Sequence, residues 1–288
     1  MPDKPLSWIA LPRHALVVLE GRDAVAFAQA QFMSDLRPLE PGQWQWSGWL
    51  TPKGRVVALF ALLLRDPETV WLLLHDAEPD AFASALQRFV FRSKVAISVP
   101  GVAVSGNLTC GSGESRDRRA ADIAALAAPT GGGAVELDLS GEGGGRGLRI
   151  GGEPGIEDPA ALARWDAFDL VHGLPRLPAS QAGQWTPQQL SLDRLRAFSV
   201  KKGCYPGQEI VSRTHFLGKA KRGLVLLEGE APLEPGAEVH AGQRAAGTVA
   251  SASGNLALAV MPLEREPGEL LVAGAPVRER PLLGGLAR

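Results

Sequence analysis

Short apolar runs alternate with helical spacings along the chain. ALVVLEG (Ala15 to Gly21) is a β-prone run closed by a turn. Asp23 then stands where a helix N-cap is wanted, and Val25, Phe27 and Ala28 give one apolar face to a helix reaching Phe32. Trp44, Trp46 and Trp49 lead into a TPKG turn, after which Val56 to Leu64 reads as a buried strand. Arg65-Asp66-Pro67-Glu68 turns the chain and Val70 to His75 returns, so a hairpin is predicted. Asp80 to Phe91 carries Phe82, Leu86, Phe89 and Val90 at helical spacing, and Val95 to Val99 and Val102 to Val104 read as strands.

Glycine punctuates the middle. Gly111 to Arg119 and Ser140 to Gly147 read as surface loops or hairpin tips; no Lys-Ser or Lys-Thr follows the second, so a phosphate-cradling loop is not supported. Pro159 to Val171 is a predicted helix, with Pro in its first turn, Leu162, Trp165, Phe168 and Leu170 along it, and His172-Gly173 at its stop. From Gly223 onward, short strands separated by Gly and Pro indicate a small sandwich or barrel. The division that follows is an N-terminal α+β region over 1–100, a second over 101–222, and a β-barrel over 223–288, the first two being free to interleave.

Composition narrows the class. With 288 residues, 45% hydrophobic and 21% charged, the chain is globular rather than disordered. A net charge of −1 excludes a polycation that wraps nucleic acid, so any basic site must be local. The longest clean apolar run, Val56 to Leu64, is half of a bilayer span, and MPDKPLSWIALPRH lacks the apolar core of a leader. A soluble, cytoplasmic protein without membrane association is expected. Cys110 and Cys204 are too few for a disulfide framework or a four-thiolate site, and the histidines at 14, 75, 172, 215 and 240 form no close ligand pair.

One segment stands apart. KKGCYPGQEIVSRTHFLGKAKR (Lys201 to Arg222) holds six cations against the single acid Glu209, a local charge of +5. Gly203, Pro206 and Gly207 permit a tight backbone able to present the Cys204 thiol. Lys202 beside it is expected to favour the thiolate, making Cys204 a candidate nucleophile, redox group or soft-metal ligand; the alternative is a cysteine packed as a small apolar residue. Tyr205, the only tyrosine, offers a ring and a hydroxyl beside the thiol.

KGCYPGQE, with Arg213 and Gly218 to Arg222, resembles the signature of YgfZ-type proteins in the aminomethyltransferase (glycine-cleavage T-protein) superfamily. Leu19 to Asp35, Gly48 to Val56, the HGLP turn at His172 to Pro175 and Ala257 to Val260 extend the resemblance over nearly the whole chain. It implies an α+β fold of ferredoxin-like domains followed by a small C-terminal β-barrel, arranged around a central folate channel. It also implies a folate-binding accessory protein that supports assembly or repair of iron–sulfur clusters in client enzymes, linked to thiomethylation of tRNA. Tetrahydrofolate or a one-carbon derivative is then the cofactor, and iron–sulfur client enzymes are the partners.

For the site, the resemblance and the chemistry of a folate together nominate Cys204 and Lys202 for the functional thiol. Trp165, Tyr205, Gln208, Glu209, Arg213, Gln31, Asp35, Lys53 and Arg55 are the candidate folate contacts. Trp165 falls where the family places a ring on folate; its partner aromatic falls here on His14. Lys53, Arg55 and Arg213 are candidates for the folate carboxylates. Cys204 is at most a transient metal ligand, and two cysteines cannot own a cluster. In T-protein the stretch matching PKGRVVALF carries an acid needed for aminomethyl transfer; here Val56, Val57, Ala58 and Leu59 are apolar, so folate binding without glycine-cleavage activity is expected. Two other readings stay open. A folate-dependent transferase would use Asp35 or Glu209 as its acid or base. An RNA-binding module would use the +5 segment; against it stand the near-neutral total charge and, Tyr205 and Phe216 apart, the lack of aromatics among those cations.

Overall fold

A run such as Val56 to Leu64, apolar at every position, suits a strand covered on both faces, and it lies at the heart of the first sheet. The computed structural model describes residues 7–109, 125–126, 128–129, 134–216, 218 and 220–288. Cys110, the predicted loop from Gly111 to Arg119, and Lys219 lie outside the described residues. The elements run β1 (Ile9–Ala10), β2 (Ala15–Glu20), α1 (Ala24–Gln31), β3 (Gln43–Leu50), β4 (Val56–Asp66), β5 (Thr69–Leu74), α2 (Pro79–Gln87) and β6 (Ala96–Ser98). Then come β7 (Val104–Thr109), β8 (Ala125–Leu126), β9 (Ala128–Pro129), β10 (Val135–Asp138), β11 (Gly145–Ile150), α3 (Pro159–Val171) and α4 (Gln208–Phe216). Six strands follow: β12 (Arg222–Gly229), β13 (Glu238–Ala241), β14 (Arg244–Ser253), β15 (Leu256–Pro262), β16 (Leu270–Val272) and β17 (Ala275–Arg280).

The first sheet has the order β6-β2-β5-β4-β3-β8, with every pairing antiparallel. Its β2-α1-β4-β5-α2-β6 path is the split βαβ of a ferredoxin-like unit, widened by β3 and β8. Phe27, Ala28, Phe82 and Leu86 of the two helices close one face of this sheet over Leu62, Leu72 and Leu74. A second sheet, β1-β7-β11-β10-β9, draws its edge strand from the start of the chain. The last six strands form a closed barrel filled by Val239, Val249, Ala259 and Met261. Helix α3 packs on β1 and β7 and on β14 and β15, wedged between the second sheet and the barrel. The largest core, with Trp44, Trp46, Trp165 and Leu170, lies where these layers meet.

Local chemistry explains the helix ends. Asp158 accepts the backbone N–H of Ala161 at 2.9 Å, Pro159 opens α3, and Gly173, at φ +72°, closes it. Glu78 caps α2 through Asp80 and Ala81. The helix predicted to Phe91 stops at Gln87, because Phe89 and Val90 turn back onto the carbonyls of Leu86 and Gln87. The chain is thereby redirected so that β6 can pair with β2. Phe89, expected on the apolar face, is left 46% exposed, and Phe91, the expected helix end, 84%. The strand expected at Val102 to Val104 begins instead at Val104, where β11 supplies its partner.

Candidate functional site

Cys204 is exposed, on a bend whose glycines take the left-handed region: Gly203 at φ +99° and Gly207 at +79°. Gly207 is required for a second reason. A Cβ there would sit 2.6 Å from both Gly54 Cα and the Thr51 carbonyl oxygen, so the bend lies directly on the turn between β3 and β4. A Cβ on Gly54 would in turn meet Ile210 of α4. The TPKG turn and the KGCYPGQE segment, about 150 residues apart in sequence, thus form one unit.

Lys202 is buried, and its ammonium points inward. Nζ donates to the Phe32 carbonyl and, at 2.9 Å, to the Ser34 carbonyl, and lies 5.0 Å from the centre of the Tyr205 ring. Burial lowers its pKa to about 8, against the attraction of Asp35. The expectation that Lys202 serves its neighbouring thiol meets a different geometry: successive side chains diverge, one into the protein and one into solvent. Tyr205 is buried as well; its hydroxyl donates to the Ser199 carbonyl at 3.0 Å, and burial pushes its pKa up.

The remaining candidates divide by what they already hold. Asp35 is gripped by Arg37 at 2.6 Å and by Gln29 at 3.0 Å, and the Arg37 hydrogen bond holds its carboxyl down at about 2. Glu209 and Arg213 pair with each other at 2.6 Å on the exposed face of α4. Arg55 donates to the Gln184 carbonyl at 2.7 Å and to Gln189 at 3.1 Å. Lys53 is exposed and makes no ion pair among the described residues. Gln208 is half-buried at the first position of α4, and Gln31 is half-buried with its buried Oε1 unpartnered.

A different set gathers in the interior. Trp165 is fully buried, and His14 meets it edge-on at 6.2 Å between ring centres, so the ring and the partner position that the resemblance paired are adjacent. His14 continues to His75 at 5.0 Å, His75 to Trp46 at 5.3 Å, and Trp46 to Trp44 at 5.3 Å. Arg146 stacks over Trp165 at 4.4 Å. Trp165 Nε1, Trp44 Nε1, both nitrogens of His14 and of His75, and Nε and Nη2 of Arg146 are buried with no hydrogen-bond partner among the described residues. Buried polar atoms are nearly always paired, so this run of orphans makes the interior the candidate place for a polar guest. Burial drives His14 well below the usual histidine range, and with Arg176 it brings His75 to about 4; both rings are neutral at pH 7.

An ion network frames this interior. Arg146 pairs with Asp169, which also accepts from Arg176 at 2.9 Å. Arg176 reaches Asp166 at 3.1 Å, Asp76 at 2.8 Å and the His75 carbonyl at 2.9 Å, while its backbone N–H donates to Ser251 of the barrel. One arginine so ties β5, α3 and β14 together. The segment after the barrel returns to the same place: Leu286 is buried, and its carbonyl accepts from Trp46 Nε1 at 2.7 Å. Reading the sequence missed His75, Arg146, Asp166, Asp169 and Arg176. The available signal was Asp166 and Asp169, three apart on a helix and within one turn of Trp165. No group of three or more His, Cys, Asp or Glu among the described residues could hold a metal ion.

Comparison with known proteins agrees with this architecture. The family model for the CAF17 C-terminal beta-barrel domain matches residues 221–281, the closed barrel. A protein of Vibrio vulnificus (strain CMCP6) named tRNA-modifying protein YgfZ is 28% identical over 231 residues, covering 76% of this chain and 69% of that one. An uncharacterized protein of Haemophilus influenzae is 26% identical over 260 residues, covering 85% and 84%. Among solved structures, the glycine cleavage system aminomethyltransferase T from Bartonella henselae is similar, with a TM-score of 0.71 at 15% identity. That match covers 94% of this chain and 83% of the other, and it shows a shared fold.

Proposed function

We propose that this chain is a YgfZ-type protein of the aminomethyltransferase superfamily, as its similarities support, that it binds a folate in its interior and that it supports iron–sulfur client enzymes, among them one that modifies tRNA. The observation that carries the reading is the run of orphaned polar atoms on Trp165, His14, His75 and Arg146. A pterin is flat and rimmed with donors and acceptors. Aromatic walls with neutral imidazoles, an indole N–H and a guanidinium suit it on both counts. Arg146 would donate to pterin oxygen or nitrogen, and Trp165 and His14, now touching edge-on at 6.2 Å, would have to part to border the ring. Lys53, with no ion-pair partner among the described residues, is the cation left for the glutamate carboxylates; Arg55 and Arg213 would have to give up the bonds they hold. Bound tetrahydrofolate would supply one-carbon or redox chemistry. The chain's residues supply shape, neutral hydrogen bonding and an exposed thiol at Cys204 for the client.

The transferase alternative loses support at its proposed acid–base groups. Asp35 is held ionised by Arg37, Glu209 is paired with Arg213, and β4 presents Val56 to Leu59 where a carboxylate is wanted. The name of the Vibrio vulnificus relative supports the link to tRNA modification. The test is a fluorescence titration of the purified protein with tetrahydrofolate and its formyl derivative. A saturable change in tryptophan emission is expected, weakened by Trp165→Phe and by His14→Gln in variants that melt like the parent. A flat titration with both folates would sink the reading. For the thiol, Cys204→Ala should fail to restore cluster-enzyme activity in a strain lacking the protein, and full restoration would remove Cys204 from the proposal.

A further inference from the structure

We infer that the segment after α2, residues 88–94, is a docking surface for single-stranded RNA. RFVFRSK alternates cations with aromatics, and the fold exposes both kinds: Arg88, Phe89, Phe91, Arg92 and Lys94 all face solvent. Phe91 is 84% exposed, far more than packing would leave a phenylalanine, and the Arg92 guanidinium sits 5.4 Å from its ring centre. No acid occurs between Pro79-Asp80 at the start of α2 and the end of β6. Two carboxylates lie on the neighbouring segment: Asp23, half-buried, accepts the Lys94 backbone N–H at 2.6 Å beside exposed Arg22, and exposed Glu20 pairs across from Ala96. Stacking faces interleaved with cations are what an unpaired strand requires: bases stack on the rings and phosphates meet the charges. A protein partner recognised by apolar contact alone would not call for three cations around two rings. The +5 segment from Lys201 has the charge without this interleaving, and in the fold its Lys202 is turned inward.

A line of buried contacts runs from this surface to the residue that precedes the thiol bend. Phe89 leans on Trp49 at 5.7 Å, Trp49 bridges Phe32, and the Phe32 carbonyl holds Lys202, two residues from Cys204. The aromatic surface and the Cys204 bend are thus tied to the same buried residues, Trp49 and Phe32. This goes beyond the folate reading and stands or falls apart from it, because none of these side chains belongs to the interior cluster.

The test is fluorescence anisotropy with a 12-nucleotide oligouridylate, using the full chain between 50 and 200 mM salt. Binding should weaken with salt at a log–log slope of about 2, from three phosphate contacts at roughly 0.7 each on a single strand. Phe91→Ala, which removes an exposed ring, should weaken binding by roughly ten-fold, the scale of one base–aromatic stack. Arg92→Glu should weaken binding and lower that slope by about 0.7, one phosphate contact of the three, and neither change should move the melting temperature or the tetrahydrofolate titration. A duplex of the same length should bind more weakly than the single strand. The inference is overturned by no binding at 50 mM salt, by affinity unchanged in both variants, or by a surface that captures a client enzyme in an RNA-independent, salt-insensitive way.

Discussion

Removing the charge of Asp169 tests whether the buried ion network holds the interior together. The Asp169 carboxylate is 1% exposed and faces Arg146 at 0% and Arg176 at 4%. Asp169→Asn keeps the volume but leaves two buried guanidiniums short of a charge; Arg146 loses the carboxylate it pairs with, while Arg176 keeps Asp76 and Asp166. Breaking a buried pair from one side costs about 3–5 kcal/mol. For a chain of this size about 2–3 °C follows each kcal/mol, so the melting temperature should fall by roughly 6–15 °C. Replacing both ions, as Arg146→Met with Asp169→Leu, removes the uncompensated charge. That double variant should recover most of the loss, because burying two apolar groups avoids desolvating either ion. The pH dependence has a definite sign. Burial alone would raise the Asp169 pKa, but Arg146 and Arg176 outweigh it and hold it below the usual carboxylate range. Its stabilisation is therefore present above the unfolded value, near pH 4, and is lost as pH falls through the folded one. The gap between the parent and Asp169→Asn should narrow in acid. Calorimetry from pH 3 to pH 7 reads all three outcomes. A single variant melting within about 2 °C of the parent, or a double variant less stable than the single, refutes the argument.

Two further outcomes follow from the same geometry. His75 is held neutral, its pKa lowered to about 4 by burial and by Arg176, so folding should weaken as pH drops from about 6.5 toward 4. His75→Phe should reduce that slope in urea titrations, leaving the share that buried His14 contributes, and an unchanged slope would count against a neutral interior. Gly207→Ala places a Cβ 2.6 Å from Gly54 Cα at a backbone φ of +79°, so it should cost roughly 2 kcal/mol or more and displace the TPKG turn. Faster alkylation of Cys204 by iodoacetamide is the readout, and an unchanged rate with unchanged stability would contradict the packing described.

What could be read from the sequence was whatever a few neighbouring residues decide. The helix from Pro159 to Val171, with Asp158 before it and Gly173 after it, is written in its own caps. The β4–β5 hairpin, the glycine bend around Cys204 and the barrel strands are equally local signals. The helix ends short of Phe91 although apolar spacing continues past Gln87, because the β2–β6 pairing that ends it is a long-range demand. Lys202 turns away from the thiol for a similar reason: closeness in sequence to Cys204 does not fix where its ammonium goes, and its carbonyl acceptors are 170 and 168 residues away. Arg146 and Arg176 gave no sign at all. An arginine inside a protein looks, in sequence, like one on the surface until its carboxylates are brought to it.

The geometry also constrains how thiol and folate could cooperate. Trp165 is sealed inside while Cys204 faces out, so direct attack of the sulfur on a pterin held at Trp165 is not the arrangement this fold favours. The link between them is strand β3. It carries Trp44 and Trp46 into the interior and ends at the turn on which Gly207 rests. A guest that moved Trp46 would strain the strand, the turn, and then the bend that displays the thiol. Under the proposed function, Cys204 would answer a client from outside, according to what the interior holds. The consequence is measurable: saturating tetrahydrofolate should change the alkylation rate of Cys204 without shielding it completely. If folate left that rate untouched while still quenching tryptophan emission, the two sites would be independent, and the coupling through β3 would be wrong.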